Sequence, residues 1–178
     1  WHTEEFETPA DAHFLFGADW GYSVDPSVAL RMWVDEAPNG RKRLNIDREV
    51  YKIGCEIDYL PALFDSLACG CDAPRPCPNP GLHGQMRQWV SRADSARADT
   101  ISYMQRHGYP RMEAAVKGPN SVKDGVIFLH GYVIRVHTRC RHAIDEFTHY
   151  SYEVDKQTGI VTPILEDKKN HVIDSARY

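Results

Sequence analysis

The sequence predicts an α/β fold with a mixed central sheet and helices on both faces. The first observation is an opening run of three strand-like segments joined by short turns, an antiparallel meander. The second is the alternation of helical and extended segments after the meander, the pattern of a layered sheet-and-helix domain. The third is size and composition. A chain of 178 residues, 42% hydrophobic, 11% aromatic and 26% charged, suits a single domain (1–178) with its own core and argues against disorder.

Taken in order, residues 13–21 (HFLFGADWG) are short, apolar and Gly-bounded, like a buried strand, with Asp19 near the C-terminal end. Residues 27–34 make a second strand, Ala37-Pro38-Asn39-Gly40 a turn, and the alternating residues 44–51 a third strand. Apolar residues at 57, 60, 63, 64 and 67 have helical spacing, with Pro61 tolerated only in the first turn. Residues 69–84 are too rich in Cys, Pro and Gly for a helix or a central strand. Residues 88–94 predict a short strand that again ends in Asp, and a helix follows from Ser95 or Ala96 through Arg106, stopped by His107-Gly108-Tyr109-Pro110. Residues 112–116 are extended and 117–120 a loop. Ser121 is the expected N-cap of a helix to about Leu129, with Asp124 three residues on. A strand over 133–137, a helix over 141–153, a turn at 155–159, an extended stretch over 160–165 and a last helix from His171 complete the reading.

Composition excludes several classes. The net charge of −4 speaks against a protein that only coats nucleic acid, though a cluster of metal-binding carboxylates would bias a nuclease the same way. No run of about 18 apolar residues is present, so no membrane partner is expected. The N-terminus has no signal-peptide pattern. Position 1 is Trp rather than Met, as expected for a C-terminal part excised from a longer chain. Five Cys, odd and unevenly placed, suit a reducing cytoplasm better than a secreted disulfide scaffold. No G-x-x-x-x-G-K-[ST] occurs, so these residues are not expected to hydrolyse ATP.

The chemistry is expected of three aspartates. Asp19 and Asp94 end separate strands, and groups at the ends of adjacent strands converge on one sheet edge. Asp174 begins the last helix. Three converging carboxylates repel one another unless cations lie between them, and all-oxygen ligands favour Mg²⁺ or Mn²⁺. Two such ions about 3.5–4 Å apart clamp both sides of a phosphodiester displacement. The competing reading is local: Asp94 also suits a cap of the helix after it.

Gly17-Ala18-Asp19-Trp20-Gly21, Ala93-Asp94-Ser95-Ala96-Arg97, Lys117-Gly118-Pro119-Asn120-Ser121-Val122, residues 146–159 (EFTHYSYEVDKQTG) and residues 167–178 (DKKNHVIDSARY) occur in this order. Together they resemble the C-terminal nuclease domain of the large terminase subunit of tailed bacteriophages and prophages, over residues 14–178. The resemblance implies a ribonuclease-H-like fold. It also implies an endonuclease that cuts concatemeric viral double-stranded DNA during genome packaging with little sequence specificity. The family's acidic ligands map onto Asp19, Asp94 and Asp174, with Asp19 bridging two ions and each of the others holding one. One ion would then activate a water and the other stabilise the leaving 3′-oxygen, so Ser95 and Ser175 are not read as nucleophiles. His171 matches a family His that orients or supplements the site; a helix-start His bonded to backbone is the other reading. Asp167 is either hydrogen-bonded behind the ligands or part of a turn.

Lys117, Lys123, Arg135, Arg139, Arg141, Lys168, Lys169 and the Arg41-Lys42-Arg43 run are candidate phosphate contacts, against the alternative of solvated surface charge. Lys117 leads, because its loop resembles one near the family's active site. The family further implies an upstream ATPase domain, portal and small-subunit partners, and action in the host bacterial cytoplasm, transiently at the procapsid portal and not in the virion. A resolvase or transposase of the same fold is a rival reading, as is a docking module with a weak or silent nuclease centre.

One segment departs from the family. Cys69-x-Cys71-x5-Cys77-x5-His83 falls where relatives read as shorter. Three thiolates and one imidazole are a ligand set for structural Zn²⁺; exposed thiols or a disulfide are the rivals. His137, Cys140 and His142 form a weaker cluster, read as loop and helix start.

Overall fold

The meander forms the middle of a seven-stranded mixed sheet. In this computed structural model, residues 1–71, 77–154, 157–165 and 169–178 are described. Among them, the strands of this sheet are β1 (His2–Glu4), β2 (Leu15–Asp19), β3 (Pro26–Glu36), β4 (Lys42–Ile53), β5 (Ser91–Ala93), β6 (Met112–Ala114) and β7 (Val133–His137), in the order β1-β7-β4-β3-β2-β5-β6. β3 runs antiparallel to both β2 and β4, and every other pairing in the sheet is parallel. All strands except β3 therefore point the same way, and their C-terminal ends share one edge. A separate antiparallel pair joins β8 (Tyr152–Val154) to β9 (Val161–Leu165).

Among the described residues, five helices cover the sheet: α1 (Leu60–Asp65), α2 (Ala98–Arg106), α3 (Ser121–His130), α4 (Arg141–His149) and α5 (His171–Arg177). Strand alternation sorts them. Phe16, Ala18, Ala29, Trp33 and Ala93 pack on one face with Leu60 and Phe64 of α1 and Ile101 and Met104 of α2. Val28, Leu30, Met32, Ile46 and Val136 pack on the other with Leu129 of α3, Ala143 of α4 and Val172 and Ile173 of α5. No helix of the described residues is long and apolar enough to cross a membrane.

Four local expectations are corrected. The helix expected over 141–153 ends at His149, because Tyr150 turns extended (φ −68°, ψ 118°) and Tyr152 and Val154 pair with Leu165 and Val161. The N-cap before α3 is Asn120, not Ser121: Asn120 takes the left-handed conformation (φ 66°) that Asn tolerates, Ser121 is already helical, and no side chain caps the end. α2 starts at Ala98, after a turn through Ser95, Ala96 and Arg97. Residues 85–88 form a 3-10 turn, leaving only Ser91–Ala93 extended. β1 carried no apolar signal; its three exposed residues join the sheet through the backbone of β7.

Candidate active site

Asp19 and Asp94 are set side by side by the sheet register. Ala18 pairs with Ala93 across β2 and β5, so the next residue on each strand is an aspartate. The Asp94 amide donates to the Ala18 carbonyl at 3.0 Å, which extends the pairing one step past the strand. Ala18 and Ala93 face α1 and α2. By alternation, the two aspartates are directed to the face that carries α5.

α5 brings the third carboxylate. Gly17 lies directly beneath it: a Cβ there would sit 1.7 Å from the Ser175 carbonyl oxygen, so only a glycine lets the helix lie this close to β2. Gly125 of α3 has a similar role, since a Cβ there would meet the Arg177 side chain at 2.8 Å. From this seat α5 presents His171, Asp174 and Arg177, and Tyr178 follows. His171 Nδ1 lies 3.0 Å from Asp19 Oδ2, and its Nε2 is 3.5 Å from Asp25 on the loop after β2. This is not the backbone-bonded histidine of the alternative reading. The Tyr178 hydroxyl reaches within 3.5 Å of the other Asp19 oxygen.

The N-terminus of α5 is held by Glu146 of α4. Its buried carboxylate accepts from the amides of Val172 at 2.7 Å and Ile173 at 3.4 Å, a cap supplied from another helix. Burial pushes the Glu146 carboxyl up to about 7, against the pull of those two amides. Sequence reasoning gave Glu146 no role. The available signal was an acidic residue at a buried helix position, in phase with Ala143.

The electrostatics are set first by burial and then by the neighbouring His171 and carboxylates. Burial raises the Asp19 carboxyl above its usual range; the His171 hydrogen bond opposes this, and Asp174 and Asp94 add to it. The hydrogen bond with Asp19 in turn raises the His171 imidazole. Burial, with Asp19 next, raises the Tyr178 phenol, so it stays protonated. Protein cations attend the other two aspartates. Lys117 Nζ bonds Asp94 Oδ1, which also accepts from the Ala96 amide at 2.9 Å. The Arg177 Nε donates to Asp174 at 2.7 Å. Both cations also lie 4.8 Å from the Tyr178 ring centroid. The donor set is oxygen-rich, anionic and partly neutralised by flexible side chains, and this fits a hard divalent cation.

The other expected residues are dispersed. Lys123 is exposed in the first turn of α3, next to Ser121, whose carbonyl accepts from Arg177 at 3.4 Å. Lys169 pairs with Asp145 at 2.9 Å, while Asp167 and Lys168 lie outside the described residues. Arg139 is exposed beyond β7, folded against the His137 ring, and β7 is three strand spacings, ~14 Å, from β2. Arg141 is exposed at the start of α4. Arg135 is spent on Asn45 (2.7 Å), Glu4 (3.6 Å) and Asp35 (3.9 Å), a structural role rather than a phosphate contact. The Arg41-Lys42-Arg43 run sits at the N-terminal end of β4, the edge opposite Asp19, and Arg43 is clamped on Asp35 by two 2.7 Å bonds.

Cys69, Cys71, Cys77 and His83 do come together, away from the aspartates. Their ligand atoms lie within 4.8 Å of one another, and among the described residues no other set of three or more His, Cys, Asp and Glu groups gathers so tightly. His137, Cys140 and His142 form no such set. Cys140 is buried against Ile46, and His142 stacks on Tyr51.

Residues 19–178 match the family model of the terminase RNase H-like domain. The large terminase subunit of Bacillus phage SPP1 is 30% identical over 165 residues, which cover 91% of this chain and 34% of that protein. The chain thus spans about a third of the length of that curated relative. The crystal structure of the SPP1 large terminase nuclease domain, with bound Mn, has a TM-score of 0.77 at 26% identity over 99% of this chain and 93% of its own. The P22 large terminase nuclease domain gives 0.62 at 15% identity over 99% and 84% of the two chains. A large terminase from a thermophilic bacteriophage gives 0.65 at 13% identity over 99% and 41%. The last two speak for the fold alone, which is ribonuclease-H-like as expected. By its sequence match over nearly its whole length, this chain belongs to the terminase RNase H-like domain family.

Proposed function

We propose that this chain is a divalent-metal-dependent endonuclease that cuts concatemeric viral double-stranded DNA during genome packaging. The observation that carries the reading is the convergence of Asp19, Asp94 and Asp174 from three separate elements, with the Asp19 carboxyl raised and Lys117 and Arg177 attending the other two. The SPP1 nuclease domain with bound Mn, at 26% identity, supports the same metal chemistry here. Two Mg²⁺ or Mn²⁺ ions held by the three aspartates would supply an activated water and charge stabilisation at the scissile phosphate.

The chain's own groups do the rest. His171, held between Asp19 and Asp25, fixes which Asp19 oxygen faces outward. Arg177, nearly fully buried, holds the Asp174 carboxylate in one orientation. Lys117 is partly exposed and able to exchange its Asp94 contact for a phosphate oxygen, and exposed Lys123 lies further along the same segment. The Ser175 hydroxyl donates to the His171 carbonyl at 2.8 Å, so it is engaged and not a nucleophile. Phosphate contacts position a duplex without reading its bases, so cleavage with little sequence preference follows. The ATP-driven motor, with portal and small-subunit contacts, is assigned to parts of a longer subunit outside these residues. The SPP1 relative, about three times as long, supports that division.

The test is supercoiled plasmid incubated with Mn²⁺, Mg²⁺ or EDTA, beside Asp94→Ala. Nicking and linearisation that need metal and fall at least about hundredfold in the variant are expected. Cleavage that persists in EDTA or in the variant would overturn the reading. So would inactivity of natively folded protein with both metals.

A further inference from the structure

We infer that Cys69, Cys71, Cys77 and His83 form a structural zinc site, chemically and spatially separate from the aspartates. Geometry comes first. His83 Nδ1 lies 3.5 Å from both Cys69 Sγ and Cys71 Sγ, and all four ligand atoms fall within 4.8 Å of one another. A tetrahedral zinc with three sulfurs and one nitrogen has edges of about 3.5 Å between S and N and about 3.8 Å between sulfurs. The S–N edges already have that length. The Cys69–Cys71 separation of 2.9 Å has to open by about 1 Å around an ion.

The surroundings supply a second, independent observation. With Nδ1 turned to the sulfurs, His83 directs Nε2 toward the Asp65 carboxylate at 4.0 Å, longer than a hydrogen bond but the direction from which a carboxylate can orient a metal-bound imidazole. Asp65 is itself fixed. Arg87 clamps it with two 2.6 Å bonds, and the buried Tyr109 hydroxyl donates to it at 2.9 Å. Both ends of the segment return to the end of α1: the Gly70 amide donates to Ser66 at 2.7 Å and the Gly84 amide to Asp65 at 2.9 Å. Gly70 and Gly84 have positive φ (65° and 69°), which gives the reversals that aim Cys69 and His83 at a common point.

The donors choose the metal. Thiolates hold zinc far more strongly than Mg²⁺ or Mn²⁺, whereas an all-carboxylate set suits the more abundant hard ions, so each donor set has its own ion. Binding releases three thiol protons and leaves the imidazole neutral, with no redox step. All four positions are filled by protein, which makes the ion a staple and not a catalyst. The staple ties α1 to the turn that precedes β5, the strand leading into Asp94.

The test is metal analysis of the 178-residue protein purified under reducing conditions without chelator. One zinc per chain is expected, retained in Asp94→Ala and lost in Cys71→Ser and in Cys77→Ser. Cobalt(II) added to zinc-stripped wild-type protein should give the visible bands of tetrahedral cobalt and a sulfur-to-cobalt charge-transfer band. This measurement does not depend on how the variants fold. Three outcomes would overturn the site: no zinc and no cobalt–thiolate absorption; zinc that survives both serine substitutions; or three reactive thiols instead of five after denaturing a parallel preparation made without reductant, which would mean a disulfide. Zinc content is read without DNA, so failure of the nuclease reading leaves this result untouched.

Discussion

Lys117 occupies ground that a divalent ion would enter under the proposed function. Its ammonium bonds the Asp94 carboxylate, so metal binding at Asp94 includes the cost of breaking a partly exposed ion pair. Lys117→Met should therefore tighten Mn²⁺ binding about two- to fivefold by calorimetry, the range such pairs support, while slowing DNA cleavage. Equal or weaker metal binding would sink the idea. Glu146 leads to a pH dependence. Its carboxyl is raised to about 7 in the fold, so the folded protein keeps a proton that the unfolded chain releases. That stabilisation is complete below the ordinary glutamate value and is lost as pH rises through about 7, on the order of 3 kcal/mol for this group. Glu146→Gln keeps an acceptor for the Val172 amide and abolishes the titration. In urea unfolding of metal-free protein, the variant should be the more stable at pH 8 and lose that advantage near pH 5. Parallel pH profiles for the two proteins would refute this. The aspartates were legible because each ends a strand or opens a helix, where backbone geometry predicts direction. Glu146 was not, because a buried charge makes sense only once its partner from another element is known; Arg177 pairs with Asp174 three residues back on the same helix, a spacing the sequence reading left unused.

α5 works through its seat on β2, and Gly17 sets the depth of that seat. Gly17→Ala puts a methyl against backbone that has no rotamer to yield, so α5 must lift. The expected loss is about 1–3 kcal/mol in denaturant unfolding, with metal-dependent cleavage falling further than stability does. Gly81→Ala, with open space around it, is the matched control and should change neither. If Gly17→Ala cleaves DNA normally, the close approach is not what positions Asp174. The meander, α2, α3, β7 and α5 were legible as elements, because each is bounded by turn residues and carries a clear period. The boundary between α4 and β8 was not: Tyr150, Tyr152 and Val154 continue an apolar pattern that either state satisfies. β1 was hidden for a different reason, since an edge strand held by backbone pairing alone needs no apolar side chains.

Across the whole molecule, charge bears on how the proposed DNA substrate would be held. The net charge is −4, and the basic run on β4 lies at the sheet edge away from the aspartates. Among the described residues, Lys117 is the expected phosphate contact that bonds a site aspartate, and exposed Lys123 lies further along the chain in the first turn of α3. Two or three phosphate contacts give a log–log salt slope of about −2 to −3 for duplex binding. A slope of about −6 or steeper in a fluorescence titration would show a binding surface other than this edge. The overall architecture was readable from the order of strands and helices, whereas the grouping of Cys77 and His83 with Cys69 needed three dimensions, since spacing says nothing of how a Pro- and Gly-rich segment folds back. The close seat of α5 also bears on synthesis. Asp19 and Asp94 emerge from the ribosome long before Asp174, so a half-made chain carries two carboxylates and no closing helix. Under the proposed function, cutting power would appear only after translation has passed the last of these positions, which would spare nearby DNA from nascent protein.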